Sequence, residues 1–440
     1  MANIMSRLFS SGNLAIPGIL NETINCAAKP KFTNTTCGAI NSQGILDEVS
    51  IRPITGGLAR RQWPNGNLQI AGTFDEVSLG SVYNLNYFIV GGGGGGSGTI
   101  GGGGGAGGIA TGTIPGAIQG ATTYAITVAA GGSGGCSSTA PYRGGIGGNS
   151  SISGGTPLIS SLTPTNYIGY GGGTGGTYIK SPGVFTANAI SGGSGGGGSG
   201  ALATPNGPLG YPGAAAIQPS SASGGSGQAG GQGSGGGPCQ ATCTSAGGGG
   251  GAGQAGYPSG VVESVCNQFG PSNPSLNFPY TCRRTGGYGG NGLQFTQFAP
   301  YGVTPGYNSG FNVAPGSGWF AGGGGGSNAG GLYCSPVNPG TNPGHVARGG
   351  AGGGGKSALE NQRTGVACAA GAGVANSGGG GGGGTSGSVS PRVPGGSGGS
   401  GIVIVYYCSP VQLGSGGNVM GGPAGPVFYH VFTGTGKYQA

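Results

Sequence analysis

The segment from Asn86 to Gly108, NYFIVGGGGGGSGTIGGGGGAGG, passes from an apolar run of strand character straight into residues without side chains. Similar runs recur far downstream, as from Gly378 to Gly384, and 120 of the 440 residues are glycine. Glycine loses more backbone freedom on ordering than any other residue. Fixing a residue costs roughly 1–2 kcal/mol. Side-chain burial cannot offset that loss where side chains are missing, so any ordered fold must be held together by its peptide groups.

A chain with this much glycine, 29 prolines and only 5 % charged residues has the composition of a disordered polymer. Its apolar content argues otherwise, because 35 % of residues are hydrophobic and 18 are Tyr and 13 Phe, where disordered segments are poor in such groups. These residues come as beads between glycine runs: TIPGAI at 113, TYAITVAA at 123, GIVIVYY at 401. Collagen is excluded, since its glycine must recur at every third position and the long runs break that register. The remaining ordered state is an array of extended three-residue helices. Such helices lack internal hydrogen bonds and present N–H and C=O sideways, and without Cβ atoms they can approach several neighbours at once. Each backbone hydrogen bond contributes about 1 kcal/mol net, so this polyglycine II array is favourable only where it is almost fully paired.

The predicted fold class is mainly β and irregular with little or no α-helix, and three regions are expected. Residues 1–80 hold five of the seven acids and an internal repeat, SGNLAIPGILNETI from Ser11 and NGNLQIAGTFDEVS from Asn65, which reads as a small β module for attachment. Residues 81–410 are the glycine-rich polyglycine II body. They are bracketed by VYNLNYFIV and GIVIVYY, whose similarity predicts two paired strands closing the excursion between them. Residues 411–440 form a strand tail around a Gly-Thr-Gly turn; ALENQR at 358 is the one place where a helical turn is expected.

Chemistry finds little footing. Gly350–Ser357, GAGGGGKS, matches the phosphate-loop pattern in Lys356 and Ser357, but no buried strand precedes it and the only aspartates are Asp47 and Asp75. We read the match as coincidental. His345 and His430 stand in no metal-ligand or catalytic spacing. Carboxylates nearly vanish after residue 76, which disfavours general acid–base work. The expectation is therefore no enzyme, no cofactor and no metal. The net charge of +8 and the RGG triplets at Arg143 and Arg348 invite a nucleic-acid reading, but the fifteen basic residues form no stripe. Scattered solubility charges and no nucleic-acid partner are expected. No stretch approaches the roughly 18 apolar residues of a membrane span, and no secretory signal is apparent at the first residues.

Ten cysteines, Cys26, Cys37, Cys136, Cys239, Cys243, Cys266, Cys282, Cys334, Cys368 and Cys408, are widely spaced and are candidates for disulfides in an oxidising medium. Phe269, Phe278, Tyr280, Tyr307, Phe311, Trp319 and Phe320 lie in loop-like stretches and suit either a contact surface or a seal on the array's flanks.

At FIVGGGGGG (88–96), TTYAITVAAGGSGG (122–135) and GGSGIVIVYY (398–407) the chain resembles the glycine-rich domain proteins found among phages and other viruses. In style it is also similar to polyglycine II tail-fibre adhesins. The resemblance implies a virion structural protein that self-associates, with other virion proteins as partners and no enzymatic activity. Two alternatives stay open: a distal adhesin that recognises a host glycan or protein through aromatic loops, and a cellular extracellular filament protein. The family's FTxxGxY-like strand opens its domain, whereas the similar HVFTGTGKY closes this chain. His430, Val431, Phe432 and Tyr438 are thus candidates for a strand that completes a sheet in the same subunit or joins a neighbour.

Overall fold

The computed structural model describes residues 15–17, 61–63, 66–71, 83–118, 122–136, 142–154, 167–179, 185–200, 210–218, 244–259, 286–303, 316–329, 346–360, 367–385, 393–409, 411–420 and 427–440. The chain divides into two compact units, Met1–Val82 and Tyr83–Ala440.

In the first unit, β1 (Ala15–Pro17), β2 (Arg61–Trp63) and β3 (Gly66–Ala71) form a sheet in the order β1-β3-β2. β1 runs parallel to β3 with Ala15, Ile16 and Pro17 opposite Gln69, Ile70 and Ala71. These are the equivalent residues of the two sequence copies, so the repeat pairs with itself in register.

The second unit begins with β4 (Tyr83–Val90), β5 (Ile109–Ile118), β6 (Thr123–Thr127), β7 (Ser150–Gly154) and β8 (Tyr167–Gly169). Short strands follow: β9 (Thr177–Ile179), β10 (Phe185–Ala187), β11 (Thr244–Ser245), β12 (Leu293–Gln294), β13 (Trp319–Phe320), β14 (Asn328–Ala329), β15 (Leu359–Glu360) and β16 (Ala367–Cys368). β17 (Ile402–Cys408), β18 (Asn418–Met420), β19 (Val427–Phe432) and β20 (Gly436–Gln439) complete the set. The one helix among the described residues is a 3-10 segment at Thr296–Tyr301. Leu359–Glu360 of the expected helical stretch is strand, pairing with Ala367–Cys368.

Two larger sheets hold the apolar beads. The first has the order β18-β19-β17-β4-β5 and the second β20-β6-β7-β8. The closure expected from sequence forms as antiparallel pairing of β4 with β17, from Ile402 opposite Val90 to Tyr406 opposite Asn86. Alternation decides the faces. Leu85, Tyr87 and Ile89 of β4 and Val403, Val405 and Tyr407 of β17 meet Tyr124, Ile126, Ile152 and Tyr438 of the second sheet in one buried cluster. Phe88, Val90, Ile402 and Ile404 point the other way, onto Phe298, Phe320, Ala252 and Ala321. β17 and the Tyr87–Val90 end of β4 are therefore covered on both faces, as their unbroken apolar runs require, while Asn84 in the first half of β4 is exposed. In β6 only Tyr124 and Ile126 are buried, and the residues between them face solvent.

The tail that begins at 411 belongs to these same sheets. β19 lies between β17 and β18, and β20 adds to β6 with Tyr438 opposite Tyr124.

Candidate functional site

Beyond the sheets the glycine runs form a lattice. The N–H groups of Gly91, Gly94 and Ser97 donate to the carbonyls of Gly108, Gly105 and Gly102 at 3.0, 2.8 and 3.2 Å. Those of Gly92, Gly95 and Gly98 donate to Gly148, Gly145 and Tyr142, and those of Gly93 and Gly96 to Gly399 and Gly396. Donor direction thus repeats every three residues, the period of the extended helix. The same rod accepts from Gly132 and Gly135, from Gly172 and Gly175, and from Gly381 and Gly384. Rod 91–98 is thereby bonded to segments around 105, 145, 397, 133, 173 and 382, a six-sided surround. Rod 101–108 repeats the scheme, donating to Gly384, Gly176 and Gly247 and accepting from Ser97, Ser327 and Gly197.

This spacing tolerates no side chain. A Cβ on Gly94 would collide with the carbonyl oxygen of Gly173, one on Gly104 with that of Gly94, and one on Gly381 with that of Gly396. The turn that joins the first two rods places Thr99 and Ile100 at φ of 42° and 46°, a left-handed conformation uncommon outside glycine. It is held by Thr99 Oγ1, 2.7 Å from Thr177 Oγ1, while Ser97 Oγ donates to the Gly175 carbonyl. Gln218 plugs the other end by accepting from Tyr170 N–H through Oε1 and donating Nε2–H to the Ile168 carbonyl.

Where rods meet sheet, aromatic rings form the seal. Phe88 lies 4.7 Å from Phe295, 4.7 Å from Phe298 and 4.9 Å from Phe320, centroid to centroid. Sequence reasoning missed Phe88, Phe295 and Phe298; the signal for Phe88 was its place in a run apolar on both strand faces. Phe320 is a correction to the contact-surface reading: it is fully buried, because β13 turns it onto Phe88. Trp319 beside it is half-buried, its backbone N–H donating to the Val303 carbonyl. Phe269, Phe278, Tyr280, Tyr307 and Phe311 lie outside the described residues.

His430 is buried between the sheets. Its Nδ1–H donates to the Gly416 carbonyl at 2.9 Å, which leaves Nε2 to accept from the Tyr407 hydroxyl at 3.3 Å. That hydroxyl accepts from the N–H groups of Leu413 and Gly414 at 2.8 and 3.1 Å. Burial holds the imidazole below its ordinary pKa, partly opposed by the Gly416 bond. Burial, with Tyr167 nearby, pushes the Tyr124 phenol up to about 12. Val431, Phe432 and Tyr438 are also buried. The candidate assembly strand thus lies inside this unit's own core, where His430 is a packing group with matched donors and acceptors.

The phosphate-loop match is committed to the lattice. Gly355 N–H donates to Gly380, Ser357 N–H to Ala347, and Ser357 Oγ, itself buried, accepts from Ala347 N–H. Of the amides such a loop would turn toward phosphate, those of Gly354, Gly355 and Ser357 are occupied, and strand β15 follows in place of a helix. His345 lies outside the described residues. Cys136, one of the candidate disulfide cysteines, is a free thiol, exposed at the end of rod 129–136, where the outward row of the rod faces solvent. Cys408 is the last, half-buried residue of β17 and Cys368 lies in β16; Cys26, Cys37, Cys239, Cys243, Cys266, Cys282 and Cys334 fall outside the described residues. Among the described residues no group of three or more His, Cys, Asp or Glu side chains could hold a metal ion, and no helix is long and apolar enough to cross a membrane.

Lattice and sealed sheets together define a glycine-rich domain of polyglycine II type. Residues 69–264 match the family model described as a glycine-rich domain, which spans part of both units. No curated protein and no solved structure matches the chain.

Proposed function

We propose that this chain is a non-enzymatic structural component of a virion, a fibre or surface protein that self-associates and joins other virion proteins. The observation that carries the reading is the commitment of backbone groups to the lattice. Interior rods use their N–H and C=O groups on one another, and their surroundings leave no space for side chains that could do chemistry. Such a body is a spacer of fixed shape, suited to bearing load or holding loops apart. The sequence resemblance to viral glycine-rich proteins supports the particle as its setting. Pairing of some cysteines after release into an oxidising medium would add to its durability.

Immunogold electron microscopy with antibody against the purified protein tests this reading. Label on isolated particles, at a shaft or over a surface, is the expected result. Label confined to cellular filaments would overturn it in favour of an extracellular filament protein. Label only at a fibre tip, with the purified chain binding host envelopes, would replace it with the adhesin reading.

A further inference from the structure

The boundary of the lattice differs from its interior in one systematic way. Rods 129–136 and 393–400 lie side by side at the surface, joined by bonds from Gly398 to Gly132 and from Gly395 to Gly135. The positions that face neighbouring rods are glycine: a Cβ on Gly131, Gly134, Gly396 or Gly399 would strike the carbonyl oxygen of Gly398, Gly395, Gly371 or Val374. The exposed row, again every third residue, carries side chains in both rods: Ala130 and Ser133 in one, Pro394 and Ser397 in the other. Another boundary rod, 210–217, has Pro212 and Ala215 in its exposed row.

An unfinished lattice edge resembles the edge of a β-sheet, with main-chain donors and acceptors that template further pairing unless they are blocked. Among the described residues, the N–H groups of Ser133 and Ser397 meet no acceptor, and Pro394 has no N–H to offer. We infer that the outward row of each boundary rod is a guard that limits the polyglycine lattice to one chain. A second rod would have to bring its carbonyls to where the Ala130, Ser133 and Ser397 Cβ atoms stand, the approach that only glycine permits inside. The inference holds whatever particle carries the protein. It bears on the self-association proposed above by directing contacts between copies away from the rods.

The test compares the full chain with Ala130→Gly/Ser133→Gly/Pro394→Gly/Ser397→Gly by sedimentation velocity over a hundredfold concentration range, with amide exchange at 131, 133, 134 and 397. The wild-type edge amides should exchange at near solvent-exposed rates whatever the oligomeric state. The glycine variant should associate with rising concentration and gain at least tenfold protection at those amides. A control that keeps every Cβ, Ala130→Ser/Ser133→Ala/Ser397→Ala, should behave as wild type. Unchanged sedimentation of the folded glycine variant, or association of the control, would overturn the guard. Should the glycine variant fail to fold, wild-type exchange decides: protected edge amides in the assembled protein would show that the lattice already crosses between copies. None of these outcomes depends on where immunogold label falls.

Discussion

At the scale of single residues the fold rests on absent atoms and on a few buried polar groups. Gly104→Ala would set a methyl against the Gly94 carbonyl, while Gly434, in the exposed turn between β19 and β20, has nothing within 4 Å of its Cβ position. Overpacking costs about 1–3 kcal/mol, and the backbone at Gly104 has little freedom to move because its neighbours are themselves paired. Denaturant unfolding should show Gly104→Ala at or beyond that range and Gly434→Ala within about 0.5 kcal/mol of wild type. Equal effects would mean the rods are not in contact. His430 sets an acid limit. Its folded pKa is depressed below 6.5, so the unfolded chain takes up the proton first, and the imidazole's contribution is complete above 6.5 and lost as pH falls through the folded value. Protonation also turns Nε2 into a donor aimed at the Tyr407 oxygen, which already accepts two N–H groups. Thermal midpoints should fall on acidification below about pH 6.5, and an imidazole resonance titrating at or above 6.5 would remove this explanation.

At the scale of elements, what was legible in the sequence followed side-chain pattern. GIVIVYY and the YFIV end of VYNLNYFIV are apolar on both strand faces, so a doubly covered pair was readable there, and β4 and β17 form it. The repeat in the first unit announced its own register. Phe320 and Trp319 were ambiguous because glycine on both sides gives no period from which to judge a face. Which rod lies beside which was unreadable for a deeper reason: a glycine rod carries no side chain to select a partner, so any could satisfy any other. The selection is made by the strands and turns at rod ends, which fix where each rod begins. The tail shows how much depends on those ends. β19 is flanked by β17 and β18, β20 brings Tyr438 against Tyr124, and Thr435 Oγ1 bonds Val128 N–H. Deleting residues 426–440 should therefore uncover the core between the sheets, seen as increased binding of an apolar dye and loss of a sharp unfolding transition. A truncated protein with wild-type stability and no dye binding would show that the tail is dispensable to this unit and free to act elsewhere.

At the scale of the whole molecule, the glycine lattice couples parts of the chain that lie far apart in sequence. Rod 91–98 takes partners as distant as Gly399, and rod 101–108 bonds Gly247, Gly384 and Ser327. A backbone hydrogen bond is worth about 1 kcal/mol net against an ordering cost of roughly 1–2 kcal/mol per residue, so a rod with half its neighbours removed is unfavourable on its own. Loss of one interior rod strips partners from several others, and local opening of the interior should be suppressed. Contacts of such sequence separation also slow folding, since the loops must close before the bonds reward them. The measurable consequence concerns native-state exchange in the second unit. Amides in 93–96, 103–106, 322–326 and 380–383 should exchange with one common free energy, equal to that of global unfolding, although they come from opposite ends of the unit. Those of the exposed turn 433–435 should exchange far faster. If the interior rods instead released their protons in separate groups at different denaturant concentrations, the lattice would be a set of independent bundles, and sideways pairing could not be what makes this unit rigid.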